Sequence, residues 1–233
     1  MLIDADTAVV VCSGPSLEGL TPRAWADLSA AGAVVGLNGA PVSVACTRNA
    51  VRFTCLAAMD LAVGLAARVP ELPRLWRETA AWRVTSTDTP DVEAESYVHE
   101  VDEEHGVAGW SDDARQGYKG GSTAMVIGNW LANAWPGDAA LHHSGKVAPR
   151  RAFRKLAYVG LDMHPANGAH AAGAGSHFSG FARSDEQYRR VCNGWERFCN
   201  EAAKRGIEIR NFTPGTGLAA MPRAHVPEGW VEA

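Results

Sequence analysis

Short apolar runs alternate with amphipathic stretches through the first third of the chain. Residues 7–12 are almost wholly apolar, which is expected of a strand buried on both faces. Thr21, followed by a proline, predicts the start of a helix, and Gly32 is placed to end that helix. Residues 33–37 and 51–56 predict two further strands. This order of elements is typical of parallel βαβ units.

The alternation continues through the rest of the chain, with one interruption. The further predicted elements are a helix over 60–68, strands over 81–85, 156–159 and 207–209, and a helix that opens at 120–122. Residues 88–119 are polar and rich in acids and glycine, and we interpret them as an insert or lid over the sheet. We predict an α/β fold: a single Rossmann-like domain over residues 1–233, with a mostly parallel sheet flanked by helices.

The clearest periodic pattern lies near the end of the chain. Ser184 and Gln187 form a capping box, which predicts a helix start. Apolar residues then recur at spacings of three and four as far as Ala202, and Gly206 is placed to end the helix.

Composition and charge narrow the classes of function. The net charge of −4 gives no global positive field that would draw the protein to nucleic acid or anionic lipid. The five cysteines are odd in number and lack C-x-x-C spacing, so they imply neither a disulfide framework nor a zinc cluster. No run approaches ~18 consecutive apolar residues. We therefore expect a cytoplasmic protein with no membrane span, and we leave self-association open.

Unusual residues follow the predicted strands, where open parallel sheets bind ligands. Residues 13–16 (Ser-Gly-Pro-Ser) supply hydroxyls, N–H groups and a glycine that lets backbone approach a phosphate or ribose. Asn38 follows the second strand and suits a hydrogen bond to a base or ribose. Gly121 and Ser122 precede a helix, whose N-terminus favours an anion. Plain turns, or N-capping by Ser122, explain the same residues.

The segment 160–177 is rich in glycine and carries three histidines directly after a predicted strand. His164, His170 and His177 suit a site around a phosphate, with one imidazole acting as a base. A zinc site with Asp162 as fourth ligand is the alternative, although spacings of six and seven match no compact ligand motif. We predict no metal.

Several short motifs occur in the order found in a known family. They are residues 14–17 (Gly-Pro-Ser-Leu), Asn38, 121–122 (Gly-Ser), 160–162 (Gly-Leu-Asp) leading to 176–177 (Ser-His), and 211–216 (Asn-Phe-Thr-Pro-Gly-Thr). In these motifs the sequence resembles the small bacterial sialyltransferases and related DUF115-type proteins, which include pterin diphosphokinase-like proteins. The resemblance implies a GT-A-like variant of the Rossmann-like fold that uses a CMP-sugar and no divalent metal.

The resemblance also implies roles for single residues. His177 falls on the general base that acts on the acceptor hydroxyl. His164 and His170 fall on two tyrosines that hydrogen-bond the departing phosphate. The nucleotide site that we predict comprises Ser13, Gly14, Pro15, Ser16, Asn38, Gly121, Ser122, Asp162 and Thr216.

The resulting hypothesis is a metal-independent glycosyltransferase with a CMP- or UDP-linked sugar as donor and no further cofactor. The acceptor is a hydroxyl on a glycan or on a hydroxylated base in phage-type DNA. Two alternatives stay open: an ATP-dependent diphosphotransferase of the pterin diphosphokinase-like type, and a nucleotide-binding relative without turnover. Among the tryptophans we expect Trp25, Trp130 and Trp195 in the core, and Trp76, Trp82 and Trp110 on a binding surface.

Overall fold

The computed structural model describes residues 3–59, 69–87, 92–101, 110–111, 116–118, 122–133, 152–162 and 185–232. Eight strands in these residues form one sheet. They are β1 Thr7–Val11, β2 Ala33–Leu37, β3 Cys55–Ala58, β4 Trp82–Ser86, β5 Ser96–Val101, β6 Gln116–Tyr118, β7 Lys155–Val159 and β8 Glu208–Asn211. The strand order is β6-β5-β4-β3-β2-β1-β7-β8, and every neighbouring pair is parallel. The predicted α/β, Rossmann-like fold is confirmed.

The apolar run of β1 lies at the centre of the molecule. Val9, Val10 and Val11 are fully buried, because β2 and β7 flank the strand and helices cover both faces. A strand buried on both faces has no solvent side, so its sequence is a continuous apolar run.

Helices form a layer on each face of the sheet. They are α1 Pro22–Leu28, α2 Val44–Arg48, α3 Leu72–Glu78, α4 Thr123–Ala132 and α5 Asp185–Lys204, with 3₁₀ turns at Pro15–Gly19 and Ala40–Val42. Helices α4 and α5 pack on the face that carries Val10 and Tyr158. Helices α1 and α2 pack on the opposite face, which carries Val9 and Val11.

The helix ends follow the sequence signals that lie within the described residues. The Thr21 side chain caps α1 by accepting a hydrogen bond from the Ala24 N–H. Gly206, with φ +68°, takes the left-handed backbone that ends α5. The proposed cap at Ser184 and the predicted helix over 60–68 lie outside the described residues.

The predicted third strand begins four residues too early. The chain leaves α2 through Ala50 in the left-handed region, and residues 51–54 lead to the sheet before β3 begins at Cys55. Thr54 contacts the backbone of Val34 through its hydroxyl, so this segment is held beside β2 from the side chain as well as the main chain.

The interpretation of residues 88–119 as a lid is wrong for the part that the structure describes. β5 and β6 lie within this range and extend the parallel sheet by two strands. In β5, Val98 is fully buried while Tyr97 and His99 are exposed. A strand near a sheet edge buries only alternate residues, so its sequence lacks the long apolar run that marked β1.

The predicted binding-surface tryptophans are also wrong. Trp76, Trp82 and Trp110 are as deeply buried as Trp25, Trp130 and Trp195, whose core position is confirmed. The Trp76 indole donates to the Glu93 carbonyl at 2.8 Å, and the Trp82 indole donates to the Ser96 hydroxyl at 3.0 Å. The two indoles therefore hold the chain just before β5 and the first residue of β5 by hydrogen bonds.

Two expectations from composition also meet the structure. None of the five cysteines, all of which lie in described residues, forms a disulfide. Burial raises the pKa of the Cys199 thiol to about 12, which keeps it protonated at neutral pH. Of the helices that the structure describes, none has the length and apolar character needed to cross a bilayer.

Candidate active site at the sheet switch point

The strand order changes direction at β1. From β1 the chain builds outward to β6, and it then returns to the other side of β1 to form β7 and β8. After β1 the chain enters α1 on one face, whereas α5, which precedes β8, lies on the other. Open α/β sheets bind ligands at such a switch point, and we call the region between the loops that follow β1 and β7 the crevice.

The two loops meet through Ser16 and Asp162. The Ser16 hydroxyl donates to Asp162 Oδ2 at 2.8 Å. Asp162 is buried, with 8% of its surface exposed, so a carboxylate lies at the base of the crevice. The sequence placed both residues in the candidate site but gave no sign that they contact each other.

Gly14 is needed for close packing between two loops, whereas the sequence suggested close approach of its backbone to a ligand. Its φ of −75° is open to any residue, so the glycine is not required by backbone conformation. A Cβ atom added there would lie 1.7 Å from Asp162 Oδ2 and 2.1 Å from the Gly160 carbonyl oxygen. The missing side chain thus makes room for the loop after β7. The neighbouring Pro15 is exposed and begins the 3₁₀ turn.

Gly160 is constrained by both conformation and space. Its φ is +69°, and an added Cβ would lie 2.5 Å from the Cys12 carbonyl oxygen. The Cys12 N–H in turn donates to the Val159 carbonyl at 2.9 Å. Glycines 14 and 160 together allow two backbone segments to run side by side at the switch point.

Thr216, predicted to contact the nucleotide, holds the backbone around Asp162. Its hydroxyl lies 2.8 Å from the Leu161 carbonyl oxygen and 3.0 Å from that of Asp162. The Leu161 N–H donates to the Thr213 hydroxyl at 2.8 Å, and the Gly217 N–H donates to the Asp162 carbonyl at 2.7 Å. The loop after β8 therefore fixes the position of the aspartate.

Asn211, which we did not predict as a site residue, also contacts Thr213 and Thr216. Its side-chain amide donates to the Thr216 hydroxyl at 3.2 Å, and its Oδ1 accepts the Thr213 N–H at 2.9 Å. The available signal was the Asn-x-Thr-x-x-Thr pattern of 211–216 directly after a strand, since short polar side chains of this kind bond nearby backbone.

Asn38 and Ser13 lie at the adjacent strand end. Asn38 has φ +52°, and its N–H donates to the Ala57 carbonyl at 2.8 Å. Its Oδ1 atom is buried and has no hydrogen-bond partner among the described residues. Leaving such an atom unpaired costs ~1–3 kcal/mol, which a donor on a ligand would recover. The Ser13 hydroxyl donates to the Leu37 carbonyl at 3.2 Å and ties the ends of β1 and β2 together.

Ser122 lies at the same edge of the sheet. The Tyr158 hydroxyl, near the end of β7, donates to the Ala124 carbonyl at 3.3 Å and so holds the first turn of α4 over that strand. Ser122 is the N-cap residue of α4, but within the described residues its side chain makes no capping hydrogen bond. Side-chain capping therefore does not account for this serine.

Other predicted site residues lie outside the described part of the chain. They are Gly121, His164, His170 and His177. Among the residues that the structure does describe, no group of three or more histidine, cysteine, aspartate or glutamate side chains is arranged to hold a metal ion.

Cys12 directly follows β1, and the environment of its thiol makes it unreactive. Burial, and secondarily the charge of Asp162, raise the pKa of the Cys12 thiol well above its usual range. A thiol in this state does not supply the thiolate that nucleophilic catalysis requires. The chemistry that the crevice supports is hydrogen bonding to a polar ligand by hydroxyls, an amide and a carboxylate.

Comparison of the chain with protein-family models, with curated proteins and with solved structures finds no match. The resemblance to sialyltransferase-like proteins therefore stays a prediction, and we infer function from the residues of the crevice.

Proposed function

We propose that the chain is a glycosyltransferase that binds a nucleotide-linked sugar in the crevice between β1 and β7. The observation that carries the proposal is the contact between Ser16 and Asp162 at the switch point of a parallel sheet, with Ser13 in the same loop as Ser16. Ligands of open α/β sheets bind at this place, and in the dinucleotide-binding folds the ligand is a nucleotide. Asn38 and Ser122 lie at the same edge and add an amide and a hydroxyl.

The chemistry of these groups suits a nucleoside more than a bare anion. The Asp162 carboxylate accepts hydrogen bonds, which fits ribose hydroxyls or the amino group of a base and disfavours direct contact with phosphate. The phosphate is assigned to Ser13, Ser122 and the N–H groups near them. This division places the nucleoside over Asp162 and the phosphate towards α4.

The proposed reaction is a direct displacement at the sugar. His177 takes the proton from an acceptor hydroxyl, and the acceptor oxygen forms a bond to the anomeric carbon. The bond from that carbon to the phosphate oxygen breaks, and its electron pair leaves with the nucleotide. His164 and His170 protonate or hydrogen-bond the departing phosphate. General base catalysis by His177 contributes ~10²–10⁴ in rate.

The order of residues along the chain supports these roles. His164 follows Asp162 by two positions, and all three histidines precede α5 in the connection between β7 and β8. The connection that leaves one of the two switch-point strands is where an α/β enzyme carries its catalytic groups. The acceptor is assigned, as before, to a glycan hydroxyl or a hydroxylated base in phage-type DNA.

A thermal-shift screen with CMP, UDP, GDP, ADP and ATP, each with and without EDTA, tests the donor class. A nucleotide present at ~100 times its Kd stabilises the folded state by ~2.7 kcal/mol. We expect EDTA-insensitive stabilisation by CMP or UDP. Stabilisation only by ATP with Mg²⁺ would favour the diphosphotransferase, and no response to any of the five would contradict a nucleotide site.

Turnover is tested separately from binding. With the donor identified, His177→Ala should abolish transfer while nucleotide affinity stays within a factor of two of wild type (roughly 0.4 kcal/mol). Transfer at the wild-type rate would remove His177 from the role of base. Wild-type binding without any transfer or donor hydrolysis would identify a nucleotide-binding protein without turnover.

A further inference from the structure

The last part of the chain contacts both the end of β8 and the segment that leads into α1. We call residues 218–232 the C-terminal strap. At its first end, the Arg223 guanidinium donates to the Thr216 carbonyl at 2.8 Å. The strap also pairs with the end of β8, because the Asn211 N–H donates to the Pro222 carbonyl at 2.9 Å and the Ala224 N–H donates to the Asn211 carbonyl at 3.0 Å.

Its second end is attached to the segment after Ser16. The Glu232 N–H donates to the Gly19 carbonyl at 3.2 Å, and the Thr21 N–H donates to the Trp230 carbonyl at 3.0 Å. The Thr21 hydroxyl donates to the Gly229 carbonyl at 2.5 Å. Leu20 and Val231 form an antiparallel bridge between these contacts.

Trp230 anchors that second end. Its indole is buried with 2% exposure, packs against Phe212 at 5.4 Å between ring centroids, and donates to Asp27 Oδ2 at 2.7 Å. Phe212 directly follows β8, and Asp27 lies in α1. One side chain of the strap thus joins an element next to the Asp162 loop to an element next to the Ser16 loop.

The two ends of the strap contact the two walls of the crevice. Thr216, held by Arg223, contacts the carbonyl oxygen of Asp162. Gly19, held by Glu232, ends the 3₁₀ turn that contains Ser16. A length of chain fixed at both walls sets the distance between them.

We propose that the C-terminal strap positions the two walls of the crevice, with Trp230 and Arg223 as its positioning residues. The proposal about ligand affinity rests on the proposed nucleotide site, whereas the proposal about the walls does not. Release of either end should loosen the wall at the opposite end as well as its own.

Trp76 offers a matched control for Trp230. Its indole is buried to a similar degree, with 3% exposure, and donates to an oxygen at a similar distance, 2.8 Å. It lies in α3 and bonds to Glu93, so its contacts are with the β4–β5 side of the sheet. Trp76→Phe and Trp230→Phe therefore each remove one indole hydrogen bond, to a carbonyl in the first and to a carboxylate in the second, and phenylalanine keeps most of the apolar contact.

The test is hydrogen exchange of single amides by NMR, in the protein without ligand. In Trp230→Phe the amides of Leu161 and Gly217, which are bonded within the Asp162 wall, should exchange about tenfold faster. In Arg223→Met the Thr21 amide at the other wall should accelerate similarly. Trp76→Phe should leave all three amides unchanged and accelerate those near β4.

Each outcome bears on the strap. Two results would overturn the proposal. Acceleration confined to the wall nearest the substitution would show that the strap does not connect the walls. Equal acceleration of all three amides in Trp76→Phe would show that loss of any buried indole contact has the same effect. If wild type binds CMP, Trp230→Phe should weaken binding about tenfold and Trp76→Phe should not. If wild type binds none of the five nucleotides, the proposed function fails while the exchange result still decides the strap.

Discussion

Two buried carboxylates in this molecule are held in different ways. Glu95, whose side chain is 1% exposed, receives hydrogen bonds of 2.7–3.2 Å from the Arg83 guanidinium, itself 6% exposed. Asp162 is 8% exposed and receives a 2.8 Å hydrogen bond from the Ser16 hydroxyl. Glu95 lies beside β4 on the outer part of the sheet, and Asp162 lies at the switch point.

The two carboxylates differ in the charge of the donor that binds them and in which part of the residue the neighbouring chain holds. The Arg83 guanidinium binds both carboxylate oxygens of Glu95 and neutralises their charge. This ion pair joins β4 to the chain before β5. The Ser16 hydroxyl is a neutral donor to one oxygen of Asp162, and Thr216 and Gly217 bind the Asp162 carbonyl. Asp162 is therefore positioned largely through its backbone by the loop after β8, whereas Glu95 is positioned through its carboxylate.

The largest expected effect on stability comes from breaking the ion pair between Arg83 and Glu95. Arg83→Met leaves the buried Glu95 carboxylate without its guanidinium, which should lower the free energy of unfolding by about 3–5 kcal/mol in urea denaturation. Nucleotide binding per folded molecule should be unchanged, because the ion pair is remote from the switch point. Arg83→Met with Glu95→Leu should recover much of the loss. A single variant within about 1 kcal/mol of wild type would contradict this account.

Gly14→Ala should have the next largest effect, and it acts on the site. The added methyl group meets Asp162 Oδ2 and the Gly160 carbonyl oxygen, and the latter is backbone that cannot rotate away. We expect a loss of about 3 kcal/mol, at the upper end for overpacking, together with loss of CMP binding in calorimetry.

Gly206→Ala is the control for this substitution. It has φ +68° and nothing within 4 Å of an added Cβ. It should cost only about 1–2 kcal/mol, from backbone strain, with full binding. Equal stability of wild type and Gly14→Ala would mean that the two loops are not in contact at the switch point.

Much of the framework was predictable because its residues are buried on both sides. The runs of β1, β2 and β7 are continuous and apolar, and α5 has a regular apolar stripe, so local patterns were sufficient. The clustering of polar residues at the strand ends was predictable for the same reason, since parallel strands present their carboxyl ends at one edge.

What the sequence could not supply were contacts between distant segments. Gly14 faces Asp162 across 148 positions of the chain, and nothing local indicates that its Cβ space is filled by another loop. Trp76 and Trp82 are buried because their indoles reach residues beyond β4, which propensity does not encode. Thr216 binds backbone carbonyls of another loop, and its residue type alone suits a ligand equally well.

Ser16→Ala should have a smaller effect on stability and a specific effect on the site. It removes a hydrogen bond to a carboxylate, worth about 1.5 kcal/mol at a half-buried position, and it releases Asp162 from the first loop. CMP affinity should fall by about tenfold in calorimetry.

Ser122→Ala is its counterpart at the same edge of the sheet. It removes a hydroxyl that makes no capping bond within the described residues, so stability should stay within about 0.5 kcal/mol of wild type. If Ser122→Ala destabilised the protein more than Ser16→Ala, the hydroxyl of Ser122 would have a structural partner. That result would contradict its proposed role in binding a ligand.

The smallest effect belongs to a third carboxylate, the partly exposed Asp4, which receives a 2.6 Å hydrogen bond from Lys155. This contact lowers the pKa of Asp4 and raises the pKa of Lys155. The contribution of Asp4 to stability is therefore present above its usual pKa of ~4 and is lost as the pH falls through the lowered value. The contribution of Lys155 is present below its usual pKa of ~10.4 and is lost as the pH rises through the raised value. Lys155→Met should lower the Tm slightly at pH 7, as expected for a solvent-screened pair, and the difference from wild type should shrink as the pH falls through the lowered pKa of Asp4. A difference that persisted unchanged in acid would instead come from packing of the lysine stem. Either result would separate the part of a carboxylate contact that depends on charge from the part that depends on packing. Glu95, bound by a guanidinium, and Asp162, bound by the Ser16 hydroxyl, differ in the first of these parts.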